Sequence, residues 1–162
     1  MLSIVLLAPE IPQNTGNIGR LCVNTGCRLH LVKPLGFSLD AAHVRRAGLD
    51  YWPHLTLCVH ESWDAFLEAE HPARLVFVST KGERVLYDVR FRDNDFLVFG
   101  NETGGLPPEF YRRYSADLYR IPMPGGHSRS LNLANSVAVS LYEALRQVEG
   151  WGGLHADGRT GS

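Results

Sequence analysis

The chain has almost no lysine: Lys33 and Lys81 stand against fourteen arginines. Acidic residues balance them to a formal net charge of −1, which excludes the broad basic surface that tight, indiscriminate nucleic-acid binding needs. The arginine bias leaves two readings open: codon usage in a G+C-rich genome, or a use for the planar guanidinium fork in recognising phosphate and RNA. Cysteine is also sparse. Cys22, Cys27 and Cys58 are odd in number and lack CxxC spacing, so they read as small apolar residues in a reducing compartment. The seven histidines form no HExxH motif or Cys/His cluster along the sequence, and no metal is expected. No apolar run approaches the roughly 20 residues that cross a bilayer, so no membrane partner is expected. Met1 opens into a short apolar run with no basic leader, from which no secretory signal and a cytoplasmic location are expected. No Gly-Lys-Ser/Thr follows a glycine loop, which excludes a Walker site. The GxSxG elbow is missing as well, and adjacent His127 and Ser128 make a poor nucleophile and base pair.

What remains is a 162-residue chain, 44% hydrophobic, long enough for one domain with a real core. Short apolar runs alternate with amphipathic stretches. Strands are expected at 3–7, 29–32, 55–59, 74–79, 95–99 and 117–121. Helices are expected from an Asn14 or Thr15 cap to Gly26, over 41–47, from a Ser62 cap to about 69, from Pro107 to about 114, and over 132–148. Leu133, Val137, Leu141, Leu145 and Val148 form an apolar stripe on the last of these. The pattern predicts an α/β fold with a mainly parallel sheet flanked by helices. A single domain over 1–149 and a disordered glycine-rich tail over 150–162 are expected.

Three segments invite chemistry. In Asn14-Thr15-Gly16-Asn17-Ile18-Gly19-Arg20, a capped helix start accounts for Asn14 and Gly16. It leaves Gly19 unexplained, since glycine inside a helix costs roughly 1 kcal/mol relative to alanine; something is expected to approach that face closely. Gly100-Asn101-Glu102-Thr103-Gly104-Gly105-Leu106-Pro107 leaves a buried strand, where open α/β sheets place their ligands. Glu102 is either part of that site or a cap for the helix at Pro107. Finally, Ile121-Pro122-Met123 leads through glycines to Ser128-Arg129-Ser130-Leu131-Asn132. There Ser130 is a candidate N-cap, and the polar cluster at a helix start suits an anion or a ligand carboxylate.

Taken together and in this order, the three segments resemble the motifs of the SPOUT methyltransferases, with the compact YibK/TrmL group of tRNA 2′-O-ribose methyltransferases as the nearest match. Arg46-Ala47-Gly48-Leu49-Asp50-Tyr51 matches a further stretch of that group. The resemblance implies a C-terminal deep trefoil knot, a homodimer paired through the first and last helices, and S-adenosylmethionine as methyl donor, with no metal. It implies that Val78, Gly100, Ile121, Ser130 and Leu131 border the cofactor. Arg20, Asn14, Glu102 and Asn132 are the implied catalytic set, with Arg20 central, and Ser128, Arg129 and Tyr142 are implied to meet RNA. The implied activity is 2′-O-methylation of the wobble nucleotide of tRNA, cytidine or modified uridine. The alternatives are a ribose methylase for another tRNA position or ribosomal RNA, and a non-catalytic RNA- or cofactor-binding protein. Two departures stand out: Gly104 replaces the group's usual arginine, and the 124–127 loop is about one residue longer.

Overall fold

The computed structural model describes residues 1–40, 50–127 and 129–151. Seven strands form one sheet: β1 (Ser3–Leu7), β2 (Arg28–Val32), β3 (Leu57–His60), β4 (Leu75–Val78), β5 (Arg84–Val85), β6 (Phe96–Phe99) and β7 (Leu118–Arg120). Their order across the sheet is β3-β2-β1-β6-β4-β7-β5, and every pairing is parallel. The chemistry of β1 explains its central place. All five of its residues are buried, which suits a strand covered on both faces.

Strand alternation sends those residues to opposite cores. Ile4 and Leu6 join Ile18 and Cys22 of α1 (Pro12–Thr25) and Val137, Leu141, Ala144 and Leu145 of the last helix. Val5 and Leu7 join Phe66 of α2 (Trp63–Glu70) and Phe110 of α3 (Pro108–Arg113). The last helix, α4 (Leu133–Val148), carries the expected apolar stripe and packs against α1 and β6. One connection is unusual. β7, the last strand in sequence, lies between β4 and β5 rather than outside them, and Arg120 donates to the carbonyls of Gly82 and Glu83 in the loop joining those two strands.

All six expected strands appear, the first with its expected bounds and the others with ends moved by one or two residues, while β5 and the three short 3₁₀ turns among the described residues carry too little pattern to be foreseen. Two caps differ from expectation. α1 begins at Pro12, with extended Ile11 as N-cap and no side-chain cap; proline's fixed φ favours the first helical position. Asn14 therefore lies inside the helix. For α4 the cap is Asn132, whose side-chain oxygen accepts from Ala134 N and Asn135 N, and not Ser130. Ser62 caps α2 as expected, and Gly26 closes α1 in the left-handed conformation. The helix expected over 41–47 and the tail beyond 151 lie outside the described residues.

A polar pair is buried under α2. His30 Nδ1 lies 3.1 Å from His60 Nε2, with Glu70 Oε1 3.7 and 3.9 Å from the same two atoms. Among the described residues this trio alone has metal-ligand spacing. Its rings, however, are nearly parallel with centroids 5.4 Å apart, as when two ring nitrogens face each other across one N–H···N hydrogen bond. His30 Nε2 has no partner, so the cheaper tautomer puts the proton on Nδ1 and leaves only a lone pair unpaired. Burial, with smaller contributions from His60 and Arg28, lowers the His30 pKa to about 4. Burial also lowers that of His60, against the pull of Glu70.

These depressed pKa values fix a sign. The unfolded chain binds protons at His30 and His60 near pH 6.5 that the folded chain refuses. Stability from this pair is full above about pH 6.5 and is lost as pH falls toward 4. Thermal melts across pH 4.5–7 should show a falling midpoint on acidification, and His30→Leu should flatten that slope.

Candidate active site

A cavity of about 560 Å³ opens at the C-terminal ends of β4, β6 and β7, the end of a parallel sheet where ligands bind. Its walls mix apolar side chains with polar loop groups. The loop after β6 forms one wall. Asn101 and Gly105 exchange backbone hydrogen bonds at 3.1 and 3.2 Å, turning the chain back beside Gly100. A Cβ at Gly100 would lie 2.0 Å from the carbonyl carbon of Gly105, so the turn closes only around glycine. Gly105 itself has φ 70°. Gly104 N donates to Asn101 Oδ1 at 2.7 Å.

Two glutamates clasp this loop to the start of α1. Glu102 accepts from Glu10 N at 2.8 Å, Ile11 N at 3.0 Å and Asn14 Nδ2 at 3.3 Å. In return the Glu10 carboxylate accepts from Thr103 Oγ1 and from Asn101 Nδ2. Glu102 therefore serves the N-terminus of α1, where negative charge is favoured, and does not cap the helix after Pro107; α3 has no side-chain cap. The relay continues. Asn132 Nδ2 donates to Asn14 Oδ1 at 3.0 Å, while its own Oδ1 caps α4. Each amide orientation follows from its neighbour's, because the helix cap fixes Asn132 and Asn132 fixes Asn14.

All five residues expected to border a cofactor, Val78, Gly100, Ile121, Ser130 and Leu131, line this cavity, as do Asn14, Glu102, Asn132 and Arg129. Ser128 lies outside the described residues. Arg20 and Tyr142 are not among the described lining residues. Arg20 sits over the Tyr51 ring, 5.0 Å from its centroid. Tyr142 is exposed on α4 beside Trp151, with ring centroids 6.4 Å apart.

Sequence reasoning missed Tyr111. Its hydroxyl lies 3.3 Å from Ser79 Oγ and accepts from Leu106 N at 3.3 Å, tying the ends of β4 and β6 together, and the Lys81 ammonium lies 4.8 Å from its ring centroid. A tyrosine one helical turn into α3 reads as core, so no local signal marks it. Glu10 lies in Pro9-Glu10-Ile11-Pro12, which resembles the start of the first motif, but its part as the partner of another loop's threonine and asparagine shows only in the fold.

Glu10, Glu102, Asn14 and Asn132 are engaged with one another and with their loops, so these groups offer positioning rather than a free acid or base. Asn132→Asp keeps the helix-capping oxygen but loses the donor to Asn14, whereas Asn132→Ala loses both. Urea unfolding should therefore find Asn132→Ala less stable than Asn132→Asp by about 1 kcal/mol, the usual cost of an N-cap. Both should bind the cavity's ligand more weakly than the parent chain does.

Comparison with known proteins places this geometry. Residues 1–142 match the SpoU rRNA Methylase family. A tRNA (cytidine(34)-2′-O)-methyltransferase of Polaromonas sp. is 52% identical over 158 residues, covering 96% of this chain and 95% of its own. A solved structure described as giving structural insights into the 2-OH methylation of C/U34 on tRNA superposes with a TM-score of 0.85 at 52% identity, over 93% of this chain and 97% of that one. The SpoU methyltransferase AviRb from Streptomyces viridochromogenes, solved with AdoMet, superposes with a TM-score of 0.73 at 29% identity over 91% of this chain and 60% of its own. With the match running from the first strand into the last helix, the chain belongs to the SpoU rRNA Methylase family.

Proposed function

We propose that this protein transfers a methyl group from S-adenosylmethionine to the ribose 2′-hydroxyl of nucleotide 34, the wobble position of tRNA. The observation that carries the reading is the near full-length likeness, above half identity, to enzymes named for that reaction. The rival positions in tRNA or ribosomal RNA have no such match among the relatives described above.

The cavity fits the donor by its own features. Its volume is that of a small-molecule site. Val78, Ile121 and Leu131 offer apolar surface to a purine, and the glycine turn brings main-chain groups to the rim without a Cβ in the way. When bound, S-adenosylmethionine supplies an electrophilic methyl group on a sulfonium. The protein's share is to align the acceptor hydroxyl, and alignment can lower a barrier by several kcal/mol. Arg20 is the candidate for charge. A guanidinium keeps its proton, with a pKa above about 12, so its role is to hold an RNA phosphate and stabilise the negative charge growing on the 2′-oxygen. Arg129 at the cavity and exposed Tyr142 are proposed to meet the RNA.

Two further features belong to this reading. Insertion of β7 between β4 and β5, with α4 returning to α1, is the path that a C-terminal trefoil knot would take. A homodimer paired through α1 and α4 would let Arg20, which is not among the described lining residues of its own chain's cavity, approach that of the partner; exposed Val139 supplies apolar surface for such a contact. A cytoplasmic location agrees with the tRNA substrate, and no helix among the described residues is long and apolar enough to cross a membrane.

The test is methyl transfer from labelled S-adenosylmethionine to tRNA lacking its wobble 2′-O-methyl group, with the product mapped to the nucleotide. Label at nucleotide 34 is expected, and Arg20→Ala should lower kcat at least about 100-fold, as loss of a transition-state charge partner does. Label at another nucleotide, or in ribosomal RNA alone, would sink the wobble assignment. Cofactor binding without transfer to any RNA would point to a binding protein.

A further inference from the structure

Tyr51 lies outside the cavity, yet it contacts α1 where the proposed chemistry needs rigidity. Its hydroxyl donates to the Gly16 carbonyl, and its ring carries the Arg20 guanidinium 5.0 Å from the centroid. The phenol stays protonated, because burial raises its pKa against the opposing effect of Arg20. The next residues fix the platform from the other side. A Cβ on Gly19 would come within 3.1 Å of the Trp52 ring and 3.2 Å of Leu55 Cδ2, so the 51–55 segment is pressed onto the helix where Gly19 leaves room. The close approach that Gly19 implied is thus made by the protein's own aromatic side chain.

We propose that Tyr51 is a positioning residue for Arg20, its ring holding the guanidinium plane in the orientation used on the RNA. The hydroxyl anchors the ring to α1, one turn before the arginine that the ring supports. An exposed arginine otherwise samples many rotamers, and ordering it beforehand removes that cost from the transition state. Cation–π attraction biases an exposed arginine toward the rotamer that lies over the ring, and it favours arginine's flat cation over lysine's compact one. The proposal rests on the reading that Arg20 acts in methyl transfer.

The experiment compares Tyr51→Phe, Tyr51→Leu, Arg20→Lys and the Arg20→Lys/Tyr51→Leu double variant on wobble-unmethylated tRNA. Tyr51→Leu should lower kcat roughly tenfold, within the range that loss of a cation–π contact and modest misplacement produce. Its affinity for S-adenosylmethionine should be unchanged. Tyr51→Phe, which keeps the ring, should recover most of that loss. In the double variant the Tyr51→Leu effect should shrink to less than about threefold, since lysine has no planar group to hold. A second readout needs no turnover: the Arg20 side-chain N–H resonance, shifted by the ring current, should move in Tyr51→Leu and stay near its place in Tyr51→Phe.

Undiminished kcat in Tyr51→Leu, or a loss that persists in full beside Arg20→Lys, would overturn the proposal. So would a loss of kcat with no change in the Arg20 resonance, which would assign Tyr51 a general packing role. If Tyr51→Leu fails to fold, Tyr51→Met, which likewise has no ring and fills space flexibly, replaces it, with the same outcomes decisive. Arg20→Ala separates the two layers. Full activity there would remove the reading on which the proposal rests, whereas inactivity there beside normal Tyr51 variants would refute the proposal alone.

Discussion

The Glu102 carboxylate sets the geometry on which the rest of the site depends. It stands where the loop after β6 meets the first turn of α1, and it gathers two backbone N–H groups and the Asn14 amide. A helix N-terminus presents unpaired donors and partial positive charge, so a carboxylate there is held by hydrogen bonds and dipole together. α1 lacks a side-chain cap of its own; the distant loop provides the charge instead. From Glu102 the chain of partners runs through Asn14 to Asn132, the cap of α4. Two helix starts and one strand end, far apart in sequence, are thereby fixed to a common origin. The Glu10 carboxylate closes the return path to Thr103 and Asn101, so neither loop can shift without breaking bonds in the other.

That arrangement works because the sheet delivers the three segments to one edge. Parallel pairing places the ends of β4, β6 and β7 side by side, and each end passes directly into a loop that lines the cavity. The insertion of β7 beside β4 matters most. Had the last strand added at the sheet's outer edge, β5 would separate the 121–133 segment from the β6 loop. Asn132 could not then reach Asn14 and cap α4 beside α1. The position of β7 and the amide relay are thus two aspects of one constraint.

Much of this was legible along the chain, and the failures share a cause. β1 was readable to the residue because five consecutive apolar or small side chains leave little choice for a strand buried on both faces. The resemblance of the three motifs pointed to Val78, Gly100, Ile121, Ser130 and Leu131 together, and all five line the cavity. What escaped were the partners of polar groups. Asn14 looks like a cap because asparagine favours caps, but Pro12 already sets the helix start, and the Asn14 side chain is drawn to Glu102 and Asn132 instead. Ser130 yields to Asn132 by a shift of two residues that local propensity cannot resolve. Glu102 was ambiguous for the same reason: its nearest helix in sequence is not the helix it serves. Gly19 showed that something must come close, but only the fold could say that it was Trp52.

The division of labour between networked and solitary groups has a chemical consequence. Glu102, Asn14 and Asn132 are engaged as acceptors and donors within the protein, so a proton from a reacting hydroxyl finds no idle base among them. A methyl transfer to a neutral hydroxyl must still shed that proton. Catalysis through alignment and charge, with release to water or to the RNA phosphate as attack completes, agrees with this wiring better than a buried general base does. Such a mechanism places the demand on geometry. Because Arg20 sits apart from the relay, on the face of α1 bearing Tyr51, its orientation must be set by separate means. A cation held by an aromatic platform, beside a cavity held by a carboxylate clasp, would let the proposed cofactor and RNA sides be fixed independently until substrate brings them together.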